Sequence, residues 1–310
     1  MIIDTNSHIK IYNKEAVMLD FRINTFLTVC EYMNFTAASE KLNLSQPAVS
    51  QHIKYLEDCY NTKLFYRDKK NIHLTSSGEI LFSAFKTVSN DEIKLKNMLN
   101  ESKKQKTKIA FGVTKTIGEY MVFPSLTEYI RGNKSTNFNI HYKNTKTLLE
   151  YLDNGIIDFA IVEGCLNDKK YSINPLKSED YIGVCSSKHK FSKKINSIID
   201  ILDERLIIRE EGSGTLSILV NLLSMQNISI KDFSNLIQVD NMRMIVELVK
   251  NDCGISFLYK SAVNEEIEKG ALVELPLKDF KIRHDFTFVY NKKSVFSKQM
   301  EELYNIMKNF

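Results

Sequence analysis

A run of polar side chains near the N-terminal end has the types and spacing needed to read base edges in DNA. Ser45 is a preferred N-cap residue and Pro47 suits a first helical turn, so a helix is predicted to begin here. Val49, Ile53 and Leu56 recur at the spacing of one buried helical face. The opposite face, called the reading face below, carries amides and a hydroxyl that suit hydrogen bonding in a major groove. It consists of Gln46, Ser50, Gln51 and Lys54.

The segments on either side of this helix predict a winged helix-turn-helix. Residues 36–43 read as a short helix, and its alanines Ala37 and Ala38 allow a second helix to cross closely. Residues 64–67 and 72–74 are short strand-like runs around a basic tip. They predict a β-hairpin that forms the wing.

Residues 19–76 resemble the N-terminal domain of LysR-type transcriptional regulators. The motif that carries the resemblance consists of Phe35-Thr36-Ala37-Ala38, Leu42, Ser45-Gln46-Pro47-Ala48-Val49-Ser50, Ile53, Leu56-Glu57, Leu64-Phe65, Arg67, Leu74-Thr75 and Gly78. Asp58 to Asn61 depart from the family's usual turn, but Asn61 can adopt the left-handed conformation that glycine would supply. The resemblance implies a homodimer or dimer of dimers that binds double-stranded promoter DNA and a small-molecule effector. RNA polymerase is a further candidate partner.

The resemblance and the reading face together imply two sets of DNA contacts. Contacts with bases or their methyl groups are expected from Gln46, Pro47, Ala48, Ser50 and Gln51. Contacts with phosphates or the minor groove are expected from Thr36, Ser45, Lys54, Arg67, Lys69 and Lys70. The formal net charge of +4 is compatible with nucleic acid but does not require it, so the prediction depends on the motif.

A long helix is predicted from residue 76 to about residue 103. Its apolar residues follow steps of four and three, the heptad seam of helices that pair with one another. We expect this seam to form a homodimer, with packing against the helix's own domain as the alternative. The predicted dimerisation residues are Leu81, Phe85, Val88, Leu95 and Leu99.

From residue 108 onward strands and helices alternate, which predicts α/β lobes around a mainly parallel sheet. This half resembles the family's effector domain. The predicted fold class is α/β, with an N-terminal winged helix-turn-helix, a long linker helix and a two-lobed effector domain like periplasmic binding proteins. The expected boundaries are 18–75 for DNA binding, 76–105 for the linker and dimerisation helix, and 106–310 for effector binding, with lobe I at 106–165 and 268–310 and lobe II at 166–267. Residues 1–17 are expected to be a disordered extension or to precede a true start at Met18.

Two segments of the effector domain follow strands and open helices, which is where open α/β sheets bind ligands. Residues 113–118 and 209–215 both supply hydroxyls and helix N-terminal N–H groups, which suit an anion. N-capping and tight turns are the alternative role of each segment. The resemblance is greatest to branches that regulate sulfur or other small-anion metabolism, so a small carboxylate or inorganic anion is expected. The predicted effector contacts are Thr114, Thr116, Ser213, Gly214, Thr215 and Asn241.

A small-molecule binding protein or an enzyme built on the two-lobe domain is the alternative function. The six histidines include no HExxH motif, no GxSxG occurs, and the five cysteines form no CxxC pair. We therefore predict no catalytic residues, metal or cofactor, and buried thiols in preference to a redox pair. No signal peptide and no apolar run of about 18 residues is present, so a cytoplasmic protein without a membrane partner is expected.

Overall fold

The computed structural model describes residues 19–69, 71–102, 107–120, 124–164 and 166–308. The chain divides into two compact units, Met1–Ile93 and Lys94–Phe310. The expected extension at 1–17, Lys70 of the wing and Cys165 lie outside the described residues. Within the described ranges, no helix is both long enough and apolar enough to cross a membrane.

The first unit is a winged helix-turn-helix, as predicted. Phe26, Ala38, Val49 and Leu64 are completely buried and join its helices and hairpin in one core. The burial of Ala38 accounts for a small side chain at the helix crossing. The elements are α1 (Phe21–Tyr32), α2 (Phe35–Leu42), α3 (Gln46–Tyr60) and the antiparallel strands β1 (Phe65–Asp68) and β2 (Asn71–Leu74).

Local side-chain signals set the ends of α3. Ser45 Oγ accepts a hydrogen bond from Ala48 N at 3.3 Å, and Pro47 lies in the first turn. Asn61 ends the helix with φ +48° and ψ 44°, so the left-handed turn predicted there is present.

Helix α4 (Ser76–Ser102) is capped by Thr75, whose Oγ1 accepts from Gly78 N at 3.0 Å. A Cβ atom on Gly78 would lie 2.2 Å from the Leu64 carbonyl oxygen, which explains the glycine of the motif.

Leu81 and Phe85 pack against the core of the first unit, and the Phe85 ring centroid lies 6.2 Å from that of Phe26. The structure thus shows packing within the domain for these two half-buried residues, which was the alternative considered for the helix, and their place in a dimer seam stays a prediction. The exposed apolar residues of α4 are Ile80, Val88, Ile93, Leu95, Met98 and Leu99.

The second unit has two α/β lobes connected by two long strands. Its first elements are β3 (Thr107–Thr114), α5 (Lys115–Tyr120), α6 (Pro124–Gly132), β4 (Thr136–Lys143), α7 (Thr145–Asp153), β5 (Phe159–Val162) and β6 (Tyr171–Ser186). The chain continues through β7 (Arg205–Arg209), α8 (Gly214–Met225), β8 (Asn235–Val239), α9 (Met242–Lys250), β9 (Ile255–Tyr259), α10 (Lys260–Glu268), β10 (Leu272–Glu274), β11 (Ile282–Asn291) and α11 (Ser297–Lys308).

The sheet runs in the order β4-β3-β5-β11-β6-β9-β7-β8, with β10 paired to β6. Strands β3, β4 and β5 are parallel, as are β7, β8 and β9, but β6 and β11 run antiparallel to their neighbours. The expectation of a mainly parallel sheet is therefore wrong for the middle strands. The two-lobed architecture is as predicted, because the parallel strands form one group in each lobe.

The return of the chain to lobe I begins later than expected. Strand β10 pairs with β6 from Val184 to Ser186, next to the stretch of β6 that pairs with β9. These strands lie in lobe II, so the predicted return at residue 268 places β10 in the wrong lobe. The first strand that reaches lobe I is β11, which pairs with β5.

An ion pair holds the last part of α4 to lobe I within the second unit. Lys94 Nζ lies 2.5 Å from Asp158 Oδ1 and 4.7 Å from the centroid of the Phe296 ring. The other carboxylate oxygen of Asp158 accepts from Ala110 N at 2.9 Å. Asp158 directly precedes β5, so this pair fixes the start of a strand whose four residues are all buried.

Candidate functional site

The reading face of α3 is accessible. Gln46, Gln51 and Lys54 are exposed and Ser50 is half-buried, while Val49 beneath them is completely buried. Gln46 Nε2 donates to Ser50 Oγ at 3.0 Å, which aligns two of the polar groups. The predicted contacts at Ser45 and Pro47 are exposed and Ala48 is half-buried. The polar groups of this face are therefore accessible from solvent in the folded chain.

The predicted phosphate contacts surround this face. Thr36 is exposed in the first turn of α2, Arg67 is exposed on β1, and Lys69 occupies the hairpin turn with φ +55°. A groove of about 340 Å³ between α3 and the hairpin is lined by Lys54, Arg67 and other residues. Lys63 also lines it, but its Nζ lies 2.6 Å from Glu57 Oε2, which offsets its charge. Within the described part of the wing and helix α3, the positively charged side chains left to contact DNA phosphates are therefore Lys54, Arg67 and Lys69.

In the second unit, three predicted effector contacts meet across the two lobes. Thr116 Oγ1 lies 3.2 Å from Thr215 Oγ1, although the two residues are 99 positions apart in the chain. Thr114 Oγ1 donates a hydrogen bond to one carboxylate oxygen of Glu163. Thr215 Oγ1 donates to the other, Oε1, at 3.2 Å. The convergence of these hydroxyls matches the geometry expected from the sequence.

Glu163 and Arg209 complete this group and were not among the predicted contacts. Arg209 Nη1 donates to Thr116 Oγ1 at 3.2 Å, and its Nε and Nη2 donate to the Glu210 carboxylate at 2.8 and 3.1 Å. Both residues occur where a buried parallel strand ends, Glu163 just after β5 and Arg209 as the last residue of β7. A charged residue at the carboxyl end of a buried strand was the signal that could have identified them. We call Thr114, Thr116, Glu163, Arg209 and Thr215 the effector cluster.

The effector cluster is buried and its charges are paired. Burial raises the pKa of Glu163, and the hydroxyl donors and Arg209 oppose that shift only in part. Burial likewise raises the pKa of Tyr181, whose hydroxyl donates to the Thr215 carbonyl at 3.0 Å. Lys115 Nζ lies 3.7 Å from Glu210 Oε1, so two cations and two carboxylates meet here.

The remaining predicted contacts differ in their roles. Ser213 occupies the N-cap position of α8, is 2% exposed, and its Oγ has no hydrogen-bond partner among the described residues. A Cβ atom on Gly214 would lie 2.0 Å from the Glu163 carbonyl oxygen, so only glycine fits there. Asn241 instead caps α9, since its Oδ1 accepts from Met244 N at 2.9 Å. Its side chain is used for helix capping, the alternative role considered for such segments.

A cavity of about 600 Å³ opens beside the effector cluster, between α7, the segment after β5 and the start of α8. Its polar end includes Ser213, Gly212 and Thr145, and Thr145 Oγ1 donates to the Glu163 carbonyl at 2.8 Å. Its apolar walls are Leu149, Leu166, Leu216 and Val220.

The described cysteines show no redox or metal arrangement. Burial raises the pKa of the Cys30 thiol to about 12 and that of Cys185 to about 11, which makes both thiols unreactive. Across the described part of the chain, no group of three metal-ligating side chains is close enough to hold an ion.

Comparison with known proteins agrees with both units. The family described as "Bacterial regulatory helix-turn-helix protein, lysR family" matches residues 22–79, and "LysR substrate binding domain" matches residues 102–310. The transcriptional regulator CysL of Bacillus subtilis is 27% identical over 93% of this chain and 96% of its own length. Full-length LysG of Corynebacterium glutamicum, solved with the bound effector Arg, has a TM-score of 0.62 and 12% identity over 93% of this chain and 98% of its own. The regulatory domain of Synechocystis CcmR in complex with 2-PG has a TM-score of 0.55 and 20% identity over 66% of this chain and 99% of its own.

Proposed function

This chain belongs to the LysR family of transcriptional regulators, and we propose that the reading face of α3 binds promoter bases while a small anionic metabolite beside the effector cluster modulates that binding. Like the relatives it matches, it is a regulator of transcription and not an enzyme. Because its target is promoter DNA, we place its action in the cytoplasm.

The observation that carries the proposal is the contrast between the two sides of α3. Val49, Ile53 and Leu56 are buried in the core of the first unit, which fixes the rotation of the helix. The amide and hydroxyl groups on the opposite side are therefore held outward. Bidentate amides and short hydroxyls on an N-terminal helical segment are the groups that read base edges.

One observation supports a small anion as the effector, and a second supports a small molecule bound to this fold. Helix α8 directs the positive end of its dipole and first-turn N–H groups toward the cavity that Ser213 lines. LysG holds a small molecule in a protein of the same fold, and so does the CcmR domain. Among the predicted contacts, we assign Thr114, Thr116, Ser213, Gly214 and Thr215 to this site and exclude Asn241, which caps α9.

Footprinting of the full chain on DNA upstream of its own gene tests the proposal. Two protected half-sites are expected about one helical turn, or a multiple of it, apart. Shuffled DNA of the same composition serves as the control. Equal protection of both DNAs, or none, would contradict promoter recognition by α3.

Two half-sites require a dimer, and we propose that the exposed apolar residues of α4 form its interface. Leu95→Glu is expected to shift the chain toward monomer in sedimentation experiments, because a carboxylate would be buried between paired helices. Ile199→Glu is the control, since Ile199 is also an exposed apolar residue but lies in lobe II. An unchanged dimer in Leu95→Glu would remove α4 from the interface.

A further inference from the structure

We infer that Glu57 is a positioning residue for DNA binding, whose carboxylate holds the wing against α3 and keeps Lys63 from contacting a phosphate. The inference rests on the proposed function, because it concerns the surface that approaches promoter DNA. It goes beyond that function, since it gives an acidic residue outside the predicted DNA contacts control over how tightly the chain binds DNA.

The first role depends on a hydrogen bond between α3 and the chain that leads into the wing. Glu57 Oε1 accepts from Leu64 N at 3.0 Å. Leu64 is completely buried, so its N–H group needs an acceptor within the protein. The carbonyl oxygen of the same residue accepts from Thr75 N, at the far end of the hairpin, at 3.0 Å. The two ends of the wing therefore meet at Leu64, and Glu57 attaches this point to α3.

The attachment determines where the positive charges of the wing lie. Arg67 follows Leu64 by three residues on β1, and Lys69 occupies the turn of the same hairpin. Contacts with phosphates fix the register of a protein on the duplex while contacts with bases read its sequence. Both kinds of contact form together only if the hairpin is held at a fixed distance from α3. The hydrogen bond of Glu57 to Leu64 N supplies this restraint.

The second role depends on the groove of about 340 Å³ between α3 and the hairpin. Ser50 and Lys54 of the reading face line this groove, so a DNA strand bound to that face would pass beside it. Glu57 and Lys63 line it as well, and Lys63 Nζ lies 2.6 Å from Glu57 Oε2. A carboxylate therefore lies among the cations on the side of the unit that is proposed to face DNA.

The pair between Glu57 and Lys63 matters more for DNA than for folding. The Lys63 side chain is 76% exposed, so water screens the attraction and the pair adds little stability. The Glu57 side chain is only 11% exposed and is also held by Leu64 N, so the carboxylate stays in place when DNA approaches. A lysine bound to it cannot neutralise a phosphate and release a counterion. The pair thus limits the part of the affinity that does not depend on sequence.

Titrations of the full chain at several salt concentrations test the inference, on promoter DNA that footprinting identifies and on shuffled DNA. Glu57→Gln keeps an amide oxygen that can accept from Leu64 N, but it cannot neutralise Lys63. Both DNAs should bind about eightfold more tightly at about 0.1 M salt, because one more phosphate is contacted. The slope of log affinity against log salt concentration should become steeper by about 0.9.

Glu40→Gln is the matched control, since Glu40 is an exposed glutamate of α2 with no ion pair among the described residues. It changes the net charge equally and should leave the salt slope as it is in the natural chain. Adding Lys63→Met to Glu57→Gln should return the slope to the natural value, because the lysine that gained the phosphate is then absent.

Glu57→Ala separates the two roles. It also releases Lys63, but it leaves Leu64 N without the acceptor that glutamine retains. Both DNAs should therefore bind more weakly than they do to Glu57→Gln, with a smaller salt slope, because the cations of the wing are no longer held at phosphates. The slope is the decisive measurement, since a lower content of active protein does not change it.

Three results would overturn the inference: an unchanged salt slope in Glu57→Gln, the same steepening in Glu40→Gln, or identical binding by Glu57→Ala and Glu57→Gln. Failure of the proposed function would look different. In that case the natural chain would not prefer DNA upstream of its own gene to shuffled DNA, whichever residue occupies position 57.

Discussion

The reading face of α3 and the effector cluster use similar side chains in opposite ways. On α3 the polar groups are exposed, except for the half-buried Ser50, and a separate apolar core supports them. In the effector cluster the polar groups are buried and bond to one another. Under the proposed function, the reading face would bind DNA as folded, whereas the effector cluster would have to break its own hydrogen bonds before it could bond to a ligand. The comparison predicts that substitutions in α3 change binding alone, while substitutions in the cluster also change stability.

The largest effect is expected from Arg209→Met, which removes a guanidinium whose side chain is 2% exposed. Glu163 and Glu210 would lose their compensating charge, which costs about 3–5 kcal/mol of unfolding free energy. Chemical denaturation of the full chain measures this. Arg67→Met is the matched control, since Arg67 is exposed on β1 and its loss should weaken DNA binding with little change in stability. Equal stability losses would remove the distinction between the two sites.

Gly214→Ala is expected to destabilise the chain by roughly 3 kcal/mol, because the new methyl group would meet the Glu163 carbonyl oxygen and the Thr145 hydroxyl. Thermal unfolding gives the change. In Gly132→Ala the methyl group meets no atom within 4 Å, so a change below about 0.5 kcal/mol is expected. A Gly214→Ala variant as stable as Gly132→Ala would contradict the close contact between α8 and the end of β5.

Gln46→Ala should cost about 1–3 kcal/mol of binding to the cognate promoter and relax sequence preference, because an amide that reads a base is lost. Lys69→Ala should weaken cognate and shuffled DNA alike and reduce the salt dependence. Gel shifts on both DNAs at two salt concentrations separate the two roles, and the melting temperature should change in neither variant. Equal losses on cognate and shuffled DNA for Gln46→Ala would show that it does not read bases.

The smallest expected effect is a dependence of the unfolding free energy on pH. Because the pKa of Glu163 is raised in the folded chain, folding is favoured while this group is protonated, and stability is lost as the pH rises through that raised value. Glu163→Gln removes this loss, so the unfolding free energy of the variant should not fall over the pH range in which that of the natural chain falls. Denaturation across the pH range measures it. A pH profile identical to that of the natural chain would show that Glu163 is not the group that titrates.

The same contrast explains how much could be predicted from the sequence. The reading face is formed by residues that are close together in the chain, such as the cap at Ser45 and the helically spaced Val49 and Ile53. The sequence alone was therefore sufficient to predict this face. The effector cluster brings together residues that are far apart, since Thr114 and Glu163 are separated by 49 positions. A predicted fold can place the ends of strands near one another, but it does not show which polar groups bond to each other.

Two features that could not be predicted from the sequence have physical reasons as well. Leu81 and Phe85 repeat at a spacing that suits a partner helix and the helix's own domain equally well, so the pattern could not distinguish them. The antiparallel middle of the sheet was not predicted either, because the first part of the long strand β6 contains Pro175 and several charged residues. That part pairs with β11 across an irregularity between Phe286 and Thr287, which allows the proline to be accommodated.

Strand β5 connects two residues of the second unit that are each held by side-chain contacts. Its four buried residues connect Asp158, which is held by Lys94 of α4, with Glu163, which the threonines hold. Neither end can shift along the strand axis without pulling on the other, because tight packing on both faces prevents the segment from buckling. A shift of the β5 backbone at Glu163 would therefore reach Asp158 and its ion pair with Lys94.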